Sequence, residues 1–386
     1  YQKALAIKPD YAEAHNNLGN ALRDIGRLDE AVSSFNMVVA LKPDSPEAHN
    51  NLGNALKEVG NLGEAMASYK KLIAIKSDTP EAHNDLGDAL KAVGKLDEAI
   101  ISYNKAIAIK PEFFEAQYNL GNTLQVLGKF DEAVASYYEA IAIKPDYTEA
   151  YYNLGIAFQE LGKLEEAVDS YNKAIIIKPN YVEAYSNRGD IFQDLGKLDE
   201  AVTSYNKALT INSDSAKAHN NLGNAFSAQG KSNKALESFY KAIAINPNYA
   251  EAHSNLGNAL RELGQLDEAL FNFGKAIAIN PDYAEAHSNM GVVLKELGQL
   301  DEAVISYNKA IAINSDSAKA LNNLGNALSA QGKFDEAVAS YDKALIVKPD
   351  YFEAYSNLGA AYVKLGKYDM AIAHYVASDP NSLNPD

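Results

Sequence analysis

The sequence predicts an all-α solenoid assembled from 34-residue helix-turn-helix repeats, and three observations carry that prediction. The phrase Asn17-Leu18-Gly19-Asn20 returns at Asn51-Leu52-Gly53-Asn54 and keeps returning at a step of 34 residues as far as Asn357-Leu358-Gly359. Of the 24 glycines, eleven fall at the eighth place of that period and eleven at the fifteenth. An alanine stands at place 20 in all eleven copies (Ala31 through Ala371), and an aromatic at place 24 (Phe35, then Tyr69 through Tyr375). Self-similarity at this length marks a chain whose units bury their apolar faces only against their neighbours.

With the phase set at Ala12, copies begin at 12, 46, 80, 114, 148, 182, 216, 250, 284, 318 and 352. Residues 1–11 read as the tail of a truncated repeat, 12–378 as the eleven repeats and 379–386 as a C-terminal tail. Within a copy, Leu18, Gly19 and Leu22 follow His15 at i+3, i+4 and i+7, which is one stripe of a first helix. Gly26 ends that helix, because the left-handed conformation needed there resists a side chain. Asp29 is expected to cap the second helix, as are its counterparts in most copies, and Ala31, Phe35 and Val38 form its apolar stripe. Pro43 stops it, and the next first helix is expected to open at an Asp-x-x-Glu box such as Asp10 to Glu13 or Asp44 to Glu47. The small residues Gly19 and Ala31 are expected where two helix backbones cross closely. A larger side chain there would cost roughly 1–3 kcal/mol.

These columns resemble the tetratricopeptide repeat: an aromatic-leaning place 4, Leu at 7, Gly at 8, a large apolar residue at 11, Ala at 20, an aromatic at 24, Ala at 27 and Pro at 32. The resemblance covers nearly the whole chain and implies a right-handed superhelical solenoid with a concave groove. Two departures stand out. Place 4 is His (15, 49, 83, 219, 253, 287), Tyr (151, 185, 355), Gln117 or Leu321 rather than tryptophan, and place 32 loses its proline at Ser77, Ser213 and Ser315.

Composition narrows the function classes. No cysteine is present, which excludes disulfides, thiolate metal sites and cysteine nucleophiles. A formal net charge of −16 argues against sequence-independent binding to nucleic acid or anionic lipid. No apolar run approaches the ~18 residues of a membrane span, and no signal peptide opens the chain, so a cytoplasmic location is expected. Tyr1 falls in the middle of a helix, which suggests that the natural N-terminus has been removed.

Motifs that normally carry chemistry fail on this framework. Gly230-Lys231-Ser232 resembles the end of a phosphate loop, but the glycine required five residues earlier is Ala225, and the segment lies between two helices. Arg188-Gly189-Asp190 occupies places 7 to 9 of a helix; the Arg188 stem is expected to pack there while its guanidinium reaches the surface, weakening the sixth repeat. Six histidines share place 4, one per repeat, which suits hydrogen-bonded packing residues better than a metal site. Acidic pairs such as Asp29-Glu30 are explained by helix starts. No catalytic residue, metal site or cofactor is expected, and the chain reads as a non-enzyme.

What the core does not use is a second stripe on the first helix, at places 2, 6, 9 and 13. In the family this stripe lines the concave side. Place 6 is Asn17, Asn51, Asp85, Asn119, Asn153, Asn187, Asn221, Asn255, Asn289, Asn323 and Asn357; place 9 adds Asn20, Asn54, Asp88, Asn122, Asp190, Asn224, Asn258 and Asn326. Helix propensity mildly disfavours asparagine, whereas an amide that both donates and accepts suits the backbone of an extended chain. Each such bond nets only about 0.5–1.5 kcal/mol, so a ladder is needed. The asparagines at place 6 have a second reading, in which they bond the neighbouring repeat and fix the superhelical pitch. The ladder is similar to that of the superhelical arm of O-linked N-acetylglucosamine transferases.

Place 2 is glutamate except at Lys217 and Lys319. Tyr118 and Tyr152 face the middle stretch, either as peptide contacts or as covers for neighbouring helices. The expected function is therefore a non-catalytic protein-interaction scaffold that binds an extended, neutral to basic peptide segment in its groove. The alternative is a substrate-recruiting arm of a larger enzyme such as a glycosyltransferase. Apolar end faces lead to an expectation of end-to-end self-association. The chain also records a duplication: Asn212 to Ala218 recurs at Asn314 to Ala320, three repeats on.

Overall fold

The computed structural model describes residues 1–378; residues 379–386, expected as a tail, lie outside the described residues. The described residues are helical throughout, joined by short turns, and they fall into two compact units, 1–191 and 192–378. The first unit holds α1 (Gln2–Ile7), α2 (Ala12–Asp24), α3 (Leu28–Leu41), α4 (Pro46–Val59), α5 (Leu62–Ile75), α6 (Pro80–Ala92), α7 (Leu96–Ile109), α8 (Phe114–Val126), α9 (Phe130–Ile143), α10 (Thr148–Glu160) and α11 (Leu164–Ile177). The boundary falls inside α12 (Val182–Asp194). The second unit continues with α13 (Leu198–Ile211), α14 (Ala216–Ala228), α15 (Ser232–Ile245), α16 (Ala250–Glu262), α17 (Leu266–Ile279), α18 (Ala284–Glu296), α19 (Leu300–Ile313), α20 (Ala318–Ala330), α21 (Phe334–Val347), α22 (Phe352–Lys364) and α23 (Tyr368–Ala377).

In the first unit α2 packs on α3, α4 on α5 and so on as hairpins, and each second helix also packs on the first helix of the next hairpin. The second unit is built the same way from α14 and α15 onward. This is the nearest-neighbour packing of a solenoid. The cores follow the columns: Ala31, Phe35, Tyr69, Tyr103 and Tyr137 are fully buried in the first unit, as are Phe239, Phe273 and Tyr307 in the second.

Each first helix ends on a left-handed glycine, with φ of +76° at Gly26 and +87° at Gly60. At the first of these the Gly26 N–H donates to the Arg23 carbonyl and the Arg27 N–H to the Leu22 carbonyl, satisfying the free carbonyls of the last turn. Gly19 is small for a different reason from the one expected. A Cβ there would lie 2.6 Å from the Phe35 ring, so the glycine makes room for the aromatic of its own repeat rather than for a helix backbone.

The caps also differ from expectation. Asp29 lies inside the first turn of α3, whose N-cap is Arg27 with no side-chain bond, so its carboxylate acts on the helix dipole instead of capping an amide. The Asp-x-x-Glu boxes are displaced by one residue: the N-cap of α4 is Ser45, which accepts from the Ala48 N–H at 3.3 Å, and that of α2 is the uncapping Tyr11. The aspartates of these loops precede the cap.

Candidate functional site

The eleven residues of place 6 and the eight polar residues of place 9 are all half-buried on the first helices. Their hydrogen bonds divide them into two classes.

In the first unit most are committed to the protein itself. Asn51 Nδ2 donates to Asn16 Oδ1 of the preceding repeat at 2.9 Å, and Asn119 Nδ2 to Asn84 Oδ1 at 3.1 Å. Where place 5 is tyrosine, the hydroxyl takes over: Asn153 donates to Tyr118 at 3.0 Å and Asn187 to Tyr152 at 3.1 Å. Asp85, which cannot donate, instead accepts from Lys57 at 2.6 Å. Asn16 passes its own Nδ2 on to Glu47 at 3.4 Å, so place 5 is the hub between a place-6 donor and a place-2 acceptor.

Place 9 serves the core. The buried hydroxyl of Tyr69 donates to Asn54, that of Tyr103 to Asp88 and that of Tyr137 to Asn122, each at 2.8 Å. Burial holds all three phenols well above their usual pKa, so they stay protonated donors. Asn122 also accepts from Asn153 at 2.8 Å, which fills both lone pairs of its oxygen. Ile156 offers no acceptor, and Tyr171 turns to Gln159 at 3.4 Å. Asn17 and Asn20 have no hydrogen-bond partner among the described residues; Asn20 stands over Phe35, which has no hydroxyl.

Tyr118 and Tyr152 are half-buried. The Tyr118 ring lies 4.8 Å from that of Tyr147 and 6.0 Å from that of Tyr137; Tyr152 lies 4.9 Å from Tyr181 and 5.8 Å from Tyr171. Arg188 departs from expectation. Its Nη1 donates to Asn172 at 2.6 Å and its guanidinium sits over the Tyr185 ring at 5.2 Å, so the charge is held against the protein, where burial lowers its pKa.

The second unit keeps part of this lattice. Asn255 donates to Asn220 at 3.0 Å and Asn220 to Glu251 at 3.0 Å; three repeats on, Asn357 donates to Asn322 at 3.0 Å and Asn322 to Glu353 at 3.2 Å. Tyr341 donates to Asn326 at 2.8 Å, and Asn221 has an interaction of its own, as does Asp190 in the first unit. Four amides differ. Asn289 and Asn323 follow repeats whose place 5 is serine (Ser254 and Ser288), while Asn224 and Asn258 belong to repeats whose aromatics are Phe239 and Phe273. None of the four has a hydrogen-bond partner among the described residues. In the ninth repeat Val292 replaces the place-9 acceptor and leaves the buried Tyr307 hydroxyl without a partner among the described residues.

The six place-4 histidines are tied to the preceding loop. His15 and His49 approach the carbonyls of Pro9 and Pro43 at 2.8 Å; His253 and His287 approach those of Pro247 and Pro281 at 3.1 and 3.0 Å. His83 and His219 do the same to Ser77 and Ser213, and burial lowers the pKa of both. A cavity of about 490 Å³ in the second unit is lined by Tyr240, His253, Leu256 and Phe271 and contains no ladder residue. The exposed side chains of α23 include Tyr368, Ile372 and Val376. Among the described residues no helix is long and apolar enough to cross a membrane.

Sequence reasoning singled out places 6 and 9, and place 5 only at Tyr118 and Tyr152. The signal was present as Asn-Asn doublets at 16–17, 50–51, 220–221 and 322–323, and as the choice of tyrosine or phenylalanine at place 24.

The TPR repeat profile matches residues 1–22, 19–60, 53–94, 87–128, 126–162 and 157–196. The profile of the cilia and flagella-associated protein 70 C-terminal domain matches residues 179–384. No curated protein matches the chain. Among solved structures, the MamA protein is 30% identical over 45% of this chain and 94% of its own, with a TM-score of 0.40. YrrB, described as a TPR protein with an unusual peptide-binding site, is 27% identical over 48% of this chain and 95% of its own, also at 0.40. Yeast Tom70 is 17% identical over 96% of this chain and 92% of its own, with a TM-score of 0.49.

Proposed function

Because the chain belongs to the tetratricopeptide repeat family, whose members serve as protein-interaction scaffolds, we propose that it is a non-catalytic scaffold holding an extended polypeptide segment along the amide-bearing face of its first helices. The observation that carries this reading is the set of half-buried asparagines on that face with no hydrogen-bond partner among the described residues. Asparagine is mildly disfavoured in a helix interior, and an extended backbone supplies complements to an amide's donors and acceptor at every residue. Recognition by backbone leaves the partner's side chains largely free. Place 2 of this face is glutamate except at Lys217 and Lys319, so it favours a neutral to basic segment over an acidic one.

The test is a peptide selected on the full chain from a random display library, compared with the same peptide N-methylated at alternate backbone amides. Fluorescence anisotropy should show affinity reduced tenfold or more on methylation. Equal affinity would mean that side chains, and not the backbone, are what the face recognises.

A further inference from the structure

The hydrogen-bond map sorts the ladder by what each amide is already doing. Asn51, Asn119, Asn153 and Asn187 spend their Nδ2 on place 5 of the preceding repeat, and Asn54 and Asn122 spend their Oδ1 on a core tyrosine. Each of these side chains is already oriented by a bond to the protein and has one donor or lone pair fewer to offer a backbone strand. Among the described residues Asn224, Asn258, Asn289 and Asn323 have none of theirs engaged.

Two separate sequence choices free them. Phenylalanine at 239 and 273 removes the hydroxyl that would engage Asn224 and Asn258, and serine stands at 254 and 288 where other copies have the asparagine or tyrosine that accepts from the next place-6 amide. The four amides fall in four successive repeats of one unit, one to each. The ninth repeat adds an independent sign that the internal lattice is left open there, since the buried Tyr307 hydroxyl has lost its acceptor.

From this inventory, and resting on the backbone-binding reading above, we infer that the docking register for an extended polypeptide is Asn224, Asn258, Asn289 and Asn323, four uncommitted amides in consecutive repeats, whereas Asn51, Asn119, Asn153 and Asn187 of the first unit are inter-repeat ties. The occupant is a single extended strand whose N–H and C=O groups meet one amide per repeat. Its side-chain charge is secondary, because the exposed place-2 residues of these four repeats are Lys217, Glu251, Glu285 and Lys319. Binding therefore depends only weakly on salt.

The experiment uses the full chain and a display-selected peptide in anisotropy titrations, with thermal melts in parallel. The variant N224A/N258A/N289A/N323A should weaken binding roughly tenfold or more while melting at the wild-type temperature. The variant N51A/N119A/N153A/N187A should melt lower and, well below its melting temperature, bind the peptide as wild type does. The reverse pattern, with binding lost only in the first-unit variant, would overturn the assignment and leave backbone recognition standing. If neither variant changes affinity, or no peptide can be selected, the functional reading falls with it. Sedimentation supplies the last arm: loss of self-association alone in the second-unit quadruple variant would make a second copy of this chain the occupant and refute the inference.

Discussion

At the scale of single residues, one oxygen atom decides what an asparagine does. The duplicated blocks provide a comparison within the chain, because Asn224 and Asn326 are equivalent and lie three repeats apart. Asn326 accepts from Tyr341 at 2.8 Å, whereas Asn224 stands over Phe239. Phe239→Tyr should therefore add a buried hydrogen bond and stabilise the chain by about 1 kcal/mol, seen as a higher denaturation midpoint. The same change should weaken peptide binding by occupying Asn224. Asp88 presents the converse case. Burial raises its carboxyl above the ordinary 3.8, against the lowering effect of the Tyr103 hydroxyl and of Lys57 and Lys91. The folded state then holds the proton more tightly than the unfolded one, so this contribution to stability is present below 3.8 and is lost as pH rises through the folded-state value. Asp88→Asn keeps the acceptor for Tyr103 and removes the buried charge. Chemical denaturation at neutral pH should show it more stable by on the order of 1 kcal/mol, with a flatter dependence on pH in the mildly acidic range. A variant less stable than wild type at neutral pH would contradict this account.

At the scale of the helical hairpin, glycines at two places do different jobs. Gly121 lies under the Tyr137 ring, where a Cβ would come within 2.6 Å of Cε1, while Gly128 has φ of +73° and open space around it. Gly121→Ala should cost roughly 1–3 kcal/mol through overpacking, and Gly128→Ala about 1–2 kcal/mol through backbone strain. Shrinking the ring separates them: Tyr137→Leu should relieve the first and leave the second, as thermal melts of the double variants would show. The hairpin was legible in the sequence because period, helix-ending glycines and the aromatic column all depend on local spacing. The caps were not. Asp29 and Asp44 are acidic residues near helix starts, and which of two adjacent residues takes the N-cap depends on backbone angles that spacing does not specify. The ladder itself was legible at Asn17 and its copies, but its division was not, since Asn153 donates to a tyrosine 35 residues away and only the packing of successive hairpins brings them together.

At the scale of the whole molecule, charge and linearity govern behaviour. A net charge of −16 opposes compaction, so raising salt from about 10 mM to about 150 mM should raise the melting temperature by screening that repulsion. An unchanged or lower melting temperature would show that local ion pairs such as Lys57 with Asp85 outweigh it. Stability in such an array is a sum over hairpins and their junctions, and the ties from place 6 to place 5 belong to the junction terms. The tyrosine or phenylalanine beneath each place-9 amide carries a further implication, for descent. The two residues are separated by one nucleotide at the middle codon position, and both fill the same hole above the place-8 glycine. A duplicating array can therefore turn individual amides outward or inward by point mutation, without repacking, and so acquire a new binding register while inheriting an unchanged fold.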